Sequence, residues 1–129
     1  MYEIEFFEDA KGYSEIVTYI KDLEKRSKSN KECRVNYNKI IAYFDLLQEY
    51  GVMIGEPVTK HIEGSIWELR PLRNRFLYAY YNDGVVVVLH YFIKKTQKTP
   101  RRELDKAKRN LDIYRTRRES NGNMEEFAE

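Results

Sequence analysis

Apolar and acidic residues alternate over Tyr2-Glu3-Ile4-Glu5-Phe6, which predicts a half-buried strand with Tyr2, Ile4 and Phe6 turned inward. The period then changes. Tyr13, Ile16, Val17, Ile20 and Leu23 fall on one helical face, with Lys21, Asp22 and Glu24 away from it. Residues 25–32 contain no apolar side chain and read as an exposed connection or a frayed helix end. A second helix is predicted by Tyr37, Ile40, Ile41, Phe44 and Leu47, with Gly51 as its stop. Gly55-Glu56-Pro57 begins a loop.

The second half has a different pattern. Trp67 and Leu69 alternate with Glu68 and Arg70, and Arg75 to Tyr81 is aromatic and strand-like. Asn82-Asp83-Gly84 is a tight-turn signal. Val85 to Ile93 follows as a continuous β-prone run, the pattern of a central strand covered on both faces. Residues 66–93 therefore predict an antiparallel meander of three strands. Thr99-Pro100 supplies a hydroxyl N-cap and a proline at the first helical position. Leu104, Ala107, Leu111 and Tyr114 give the last helix an apolar stripe. The order strand, helix, helix, three strands, helix implies an α+β fold: an antiparallel sheet with two N-terminal helices and one C-terminal helix. Residues 1–118 form one domain, and residues 119–129 read as a mobile acidic tail.

Composition narrows the class. The 129 residues are 42% hydrophobic and 34% charged, enough for one well-buried domain and against wholesale disorder. A lone cysteine, Cys33, forms no internal disulfide and points to a reducing cytoplasm. The acidic start lacks the apolar segment of a signal peptide, and the run Gly84–Ile93 is about half the length a membrane helix needs. The net charge of +2 conceals a strong asymmetry. Residues 1–59 carry −3, residues 60–118 carry +9 and residues 119–129 carry −4. Such segregation points to a polyanionic partner, the alternative being a solvated basic helix face.

The chain contains no GxGxxG or Walker motif, and one cysteine with two distant histidines does not make a structural zinc site. No metal or other cofactor is therefore expected. Cationic density does stand out. Arg70, Arg73 and Arg75 flank a corner marked by Pro71 and Asn74, while Lys94, Lys95, Lys98, Arg101 and Arg102 link the central strand to the last helix. In an antiparallel meander the second strand starts beside the end of the third. Arg75 and Lys94 should therefore meet at one rim, near a helix N-terminus that also favours anions.

Such a rim suits a phosphodiester. RNA supplies its own 2′-hydroxyl nucleophile, so the protein must align the attack and stabilise charge on phosphorus. Glu68, or a lysine crowded by other cations (Lys94 or Lys95), is the candidate base. Tyr78, Tyr80 and Tyr91 are candidates for base stacking, the alternative for each being ordinary packing. His61, placed in the loop before the meander, and His90, placed mid-strand, are further candidates. Glu68 has an alternative role as an ion-pair partner of Arg70 or Arg75.

Several segments together carry a family resemblance: Lys60-His61-Ile62, Ile66-Trp67-Glu68-Leu69-Arg70, Arg75-Phe76-Leu77-Tyr78, Leu89 to Pro100, and Glu103 to Ala107. Over about residues 1–118 the chain resembles phage-derived HigB-like toxins of the RelE/ParE superfamily. The resemblance implies a ribosome-dependent mRNA endoribonuclease that cleaves through the 2′-hydroxyl without a metal. It also implies neutralisation by a cognate HigA-like helix-turn-helix antitoxin, with operator DNA contacted only through that antitoxin. By position it matches Glu68 and Arg70 to the strand that bears basic groups, Arg75 to the arginine before the aromatic strand, and Lys94 or Lys95 to the basic residue ending the central strand; with Arg73 from the same corner, Glu68, Arg75 and Lys94 are the expected catalytic residues. Lys60, Arg70, Lys95, Lys98, Arg101 and Arg102 become the RNA-binding set.

This sequence departs from RelE-type toxins in carrying Glu68 where lysine is common, and Tyr114 lies on the apolar stripe rather than at a site. Two other readings remain open: a ParE-like inhibitor of gyrase and a non-catalytic RNA- or ribosome-binding module. The antitoxin contact is expected to be hydrophobic and acidic and to use apolar edges at Tyr19, Tyr43 and Tyr50.

Overall fold

The alternating segment at the N-terminus forms β1 (Glu3–Phe6), and the two helical periods form α1 (Glu15–Arg26) and α2 (Lys31–Tyr50) in the computed structural model. The structure describes residues 1–128, with side chains through residue 121. Both helices start on polar caps. The Ser14 Oγ accepts from the Val17 amide, and the Asn30 Oδ1 accepts from the Cys33 amide. The second helix ends at Gly51, where φ is 52°. A Cβ there would run into the Tyr2 ring, so both the backbone and the packing call for glycine.

The meander has four strands rather than three: β2 (Thr59–Glu63), β3 (Ile66–Leu69), β4 (Asn74–Asn82) and β5 (Val85–Ile93). His61 thus lies within a strand, not in the loop expected for it. The sequence hides β2 because its pattern, Thr-Lys-His-Ile-Glu, holds a single large aliphatic residue. Asp83 and Gly84 link β4 to β5, with the Asn82 side chain accepting from the Gly84 amide at 2.8 Å.

The sheet order is β1-β5-β4-β3-β2. All neighbours are antiparallel except β1, which pairs parallel with β5. The expected α+β architecture is present, then, with a mixed sheet in place of a wholly antiparallel one. The long connection through both helices returns the chain in the direction that makes β1 parallel to β5.

Helices cover both faces. Val86, Val88, Phe76 and Tyr78 pack with Ile16, Leu23, Ile40, Phe44 and Leu47 on the side of α1 and α2. On the other face Val87, Leu89, Leu77 and Ala79 pack with Leu104, Ala107, Leu111 and Tyr114 of α3 (Arg101–Ala128). The β5 run is continuously apolar because each of its faces meets a core. Each fully buried aliphatic or phenyl side chain contributes about 1.5–3 kcal/mol. One extra residue in β5, between the pairs Leu77↔His90 and Tyr78↔Val88, bends the strand and turns both Leu89 and His90 toward α3.

The α3 backbone carries on through residues 119–128, where the sequence reads as a tail. The side chains of that acidic segment from residue 122 onward lie outside the described residues. Among the described residues no helix is long and apolar enough to cross a membrane.

Candidate phosphate-binding site

A tight corner between β3 and β4 starts the site. The Asn74 amide and its side-chain Nδ2 both donate to the Pro71 carbonyl at 3.0 Å. This folding forces Leu72 into the left-handed region, at φ 57°, while its side chain stays 46% exposed. Arg75 fastens the same corner. Its Nη1 donates to the Leu72 carbonyl at 2.7 Å and to the Asn74 carbonyl at 2.9 Å. Burial pushes its guanidinium below the ordinary arginine value, with nearby Glu68 acting in the opposite sense.

Register then brings in the end of β5. Arg75 pairs with Phe92 and Asn74 with Ile93. Beyond them the Lys94 amide donates to the Arg73 carbonyl at 2.8 Å, and Arg73 Nη2 donates to the Lys94 carbonyl at 2.9 Å. Leu72, Arg73, Arg75, Lys94 and Lys95 consequently line one open groove of about 280 Å³. The two basic clusters expected to converge do so, tied together through backbone as well as side chains.

Glu68 lies beneath this rim and is 1% exposed. Its Oε1 accepts from Arg70 Nε at 2.9 Å and lies 3.8 Å from Arg75 Nε, while its Oε2 accepts from the Thr99 hydroxyl at 2.7 Å. Both carboxylate oxygens are engaged and neither is open to a substrate. The geometry corrects the assignment of Glu68 as a base: it is a buried tie between β3, β4 and the loop before α3. It also corrects Thr99. Its hydroxyl goes to Glu68 rather than capping α3, and the Pro100 carbonyl instead accepts from the Glu103 and Leu104 amides.

The remaining cations divide between two neighbouring clefts. Lys60, His61, Arg70, Gln97, Lys98, Thr99 and Arg101 share one of about 370 Å³. Arg101 is not free there. It meets Glu63 through two nitrogens at 3.0 and 3.1 Å, and Lys108 also binds that carboxylate. Together these two cations hold the Glu63 carboxyl down to about 2. Nothing in the sequence signals this pairing, because Glu63 and Arg101 lie 38 positions apart. His61 Nε2 lies 2.7 Å from the Gly64 carbonyl, and its ring packs at 5.0 Å from Trp67. Lys95 and Arg102 line the other cleft, with Phe92, Ile93 and Pro100.

The tyrosines selected for stacking are engaged within the protein. Tyr78 is wholly buried in the core and presents no face to solvent. Tyr91 already stacks on Tyr19, with centroids 4.4 Å apart and planes 10° apart. Tyr80 packs on Tyr2, Trp67 and Tyr78. Strand alternation alone cannot separate a buried aromatic face from an open one, because helices cover both sides of this sheet. The same stack removes Tyr19 from the apolar edge expected on α1, whereas Tyr50 is 55% exposed.

His90 is 8% exposed and faces α3, its Nε2 3.2 Å from Glu103 Oε1. It borders a separate cavity of about 180 Å³ with Asp9, Tyr13 and Lys106. Burial lowers its pKa, against the pull of Glu103. Among the described residues no three His, Cys, Asp or Glu side chains cluster as a metal site.

The site is therefore a basic rim of Arg73, Arg75, Lys94 and Lys95, flanked by Lys60, Arg70 and Lys98 and supported from below by Glu68. No curated protein matches the chain. A family model does match, over residues 9–112, from the loop after β1 into α3 and across every cation of the rim. On that match the chain belongs to the Gp49-like family of phage-derived proteins (DUF891), a RelE-like family of toxin character.

Proposed function

We propose that the protein is the toxin of a toxin–antitoxin pair and acts as an mRNA endoribonuclease on the translating ribosome, restrained by a helix-turn-helix antitoxin. One observation carries this reading: Arg73, Arg75, Lys94 and Lys95, from two segments remote in sequence, line a single groove. Arginine suits a phosphodiester because its planar fork matches two oxygens and stays charged. In the proposed step the 2′-oxygen attacks phosphorus and the bond to the 5′-oxygen breaks. The products are a 2′,3′-cyclic phosphate and a 5′-hydroxyl. The 2′-hydroxyl gives its proton to a base in the groove, for which Lys94 and Lys95 are the remaining candidates, and the leaving 5′-oxygen takes a proton from the protonated base or from water.

The rim would bind the two non-bridging oxygens and offset the charge that builds on phosphorus. Fixed cations contribute most when they are already in place before the reaction. Here Arg73 is held by the Lys94 carbonyl and Arg75 by two carbonyls. Overproduction should arrest growth and create new mRNA 5′ ends within codons. Arg73→Ala or Lys94→Ala should abolish both effects while the protein remains folded. Full toxicity in both variants would overturn the assignment of the groove. Arrest with intact mRNA and blocked DNA supercoiling would point to gyrase instead.

A further inference from the structure

An exposed apolar surface lies inside the most basic region of the molecule. Ile93 is 41% exposed, and with Phe92 and Pro100 it lines a cleft of about 400 Å³ between the end of β5 and the start of α3. Lys95 and Arg102 line the same cleft, and Lys95 also lines the Arg73–Lys94 groove, so the two are adjacent. Apolar walls bordered by cations suit a ligand with flat apolar faces and an anionic neighbour. The volume falls in the range of small-molecule sites. Phe92 is half-buried against the α3-side core, its ring 6.3 Å from that of His90, so Ile93 is the exposed part of the apolar wall. The other aromatic rings near the rim are covered, Tyr78 by the core, Tyr91 on one face by Tyr19 and Trp67 by His61 and Tyr80.

We propose that this cleft receives one nucleobase of single-stranded RNA whose adjoining phosphate sits in the Arg73–Lys94 groove. The proposal rests on the RNA reading above and adds to it a base subsite. Sandwiching a base against apolar and ring surfaces is tolerant of sequence, but the polar groups in the lining are not. The Thr96 hydroxyl donates its proton to the Lys98 carbonyl at 2.9 Å, which leaves its oxygen as an acceptor. Glu103 is a second acceptor, with Oε1 toward His90. Two acceptors select a base that presents an amino group, such as cytosine, over uracil.

The test uses the full-length protein and three labelled oligomers of equal length, 2′-O-methylated so that no cleavage occurs: oligo-cytidine, oligo-uridine and an abasic ribose-phosphate chain. Their charges are equal, so phosphate contacts cancel in the comparison. Fluorescence anisotropy should show oligo-cytidine binding about tenfold more tightly than the abasic chain, equivalent to about 1.4 kcal/mol, with oligo-uridine between them. Ile93→Ser, at a partly exposed position, should bring the three affinities together. Arg73→Ala should weaken all three by one factor and leave their ratio intact. Equal affinities in the unaltered protein would overturn the base subsite alone. Failure to bind any of the three would overturn the base subsite, and the same failure together with intact mRNA on overproduction would overturn the RNA reading as well.

Discussion

Replacing Glu68 by alanine probes the tie beneath the rim. It would remove a carboxylate that is 1% exposed and leave Arg75, 8% exposed, without its counter-charge. Breaking a buried ion pair from one side costs about 3–5 kcal/mol. Two features of the structure place this case near the lower end. Arg75 keeps its bonds to the Leu72 and Asn74 carbonyls, and the Arg70 side chain, 23% exposed, can turn to water. The expected loss is about 3 kcal/mol, read by urea unfolding through the fluorescence of Trp67, the single tryptophan and the chain neighbour of Glu68. Thr99→Val should cost less, and the double variant should lose about 1–2 kcal/mol less than the sum, because the hydroxyl and carboxylate bond directly at 2.7 Å. Glu68→Gln keeps the volume and separates support from chemistry. A positioning carboxylate leaves RNA cleavage and its pH profile largely intact in that variant, whereas a base would lose both. The reasoning is refuted if Glu68→Ala unfolds within about 0.5 kcal/mol of the unaltered protein, or if its effect simply adds to that of Thr99→Val.

Gly51→Ala should destabilise by about 1–3 kcal/mol in the same unfolding assay, since a left-handed φ and the Tyr2 ring both oppose a Cβ. Leu72→Gly should leave stability unchanged or raise it by up to about 1 kcal/mol, because Leu72 is partly exposed and strained at φ 57°. A clear loss in urea would show that its side chain is packed. Acidification should lower the melting temperature in two stages. The folded-state pKa of His90 lies below its ordinary 6.5, so its contribution is full above that pH and declines below it as the unfolded chain takes up the proton. Glu63, lowered from 4.5 to about 2, contributes above 4.5 and loses that contribution as pH falls toward 2. His90→Phe should remove the upper stage in a pH series of thermal melts and leave the lower one.

The elements that were legible in the sequence are those whose signal is local. Helical periods placed α1 and α2, the Asn82-Asp83-Gly84 turn placed β4 against β5, and the unbroken apolar run marked β5 as covered on both faces, though it is the second strand of the sheet and β4 the middle one. Convergence of the arginine corner with Lys94 was also legible, because antiparallel pairing of neighbouring strands fixes which ends meet. The short, polar β2 gave no such signal, and neither did the parallel pairing of β1 with β5, which spans most of the chain.

Which side chains remain open at the rim was decided by tertiary structure. Residue type alone makes Glu68 a candidate base, Tyr78 and Tyr91 stacking platforms and Thr99 a helix cap. Burial in the core, a stack against Tyr19 and a bond between Thr99 and Glu68 assign them otherwise. Sequence determined which segments carry charge and how β3, β4 and β5 pair as consecutive strands, since both follow from composition and short-range pattern. The partners of each charge depend on contacts between segments tens of residues apart, as for Glu63 with Arg101 and Glu68 with Thr99, and only the packed fold brings those segments together.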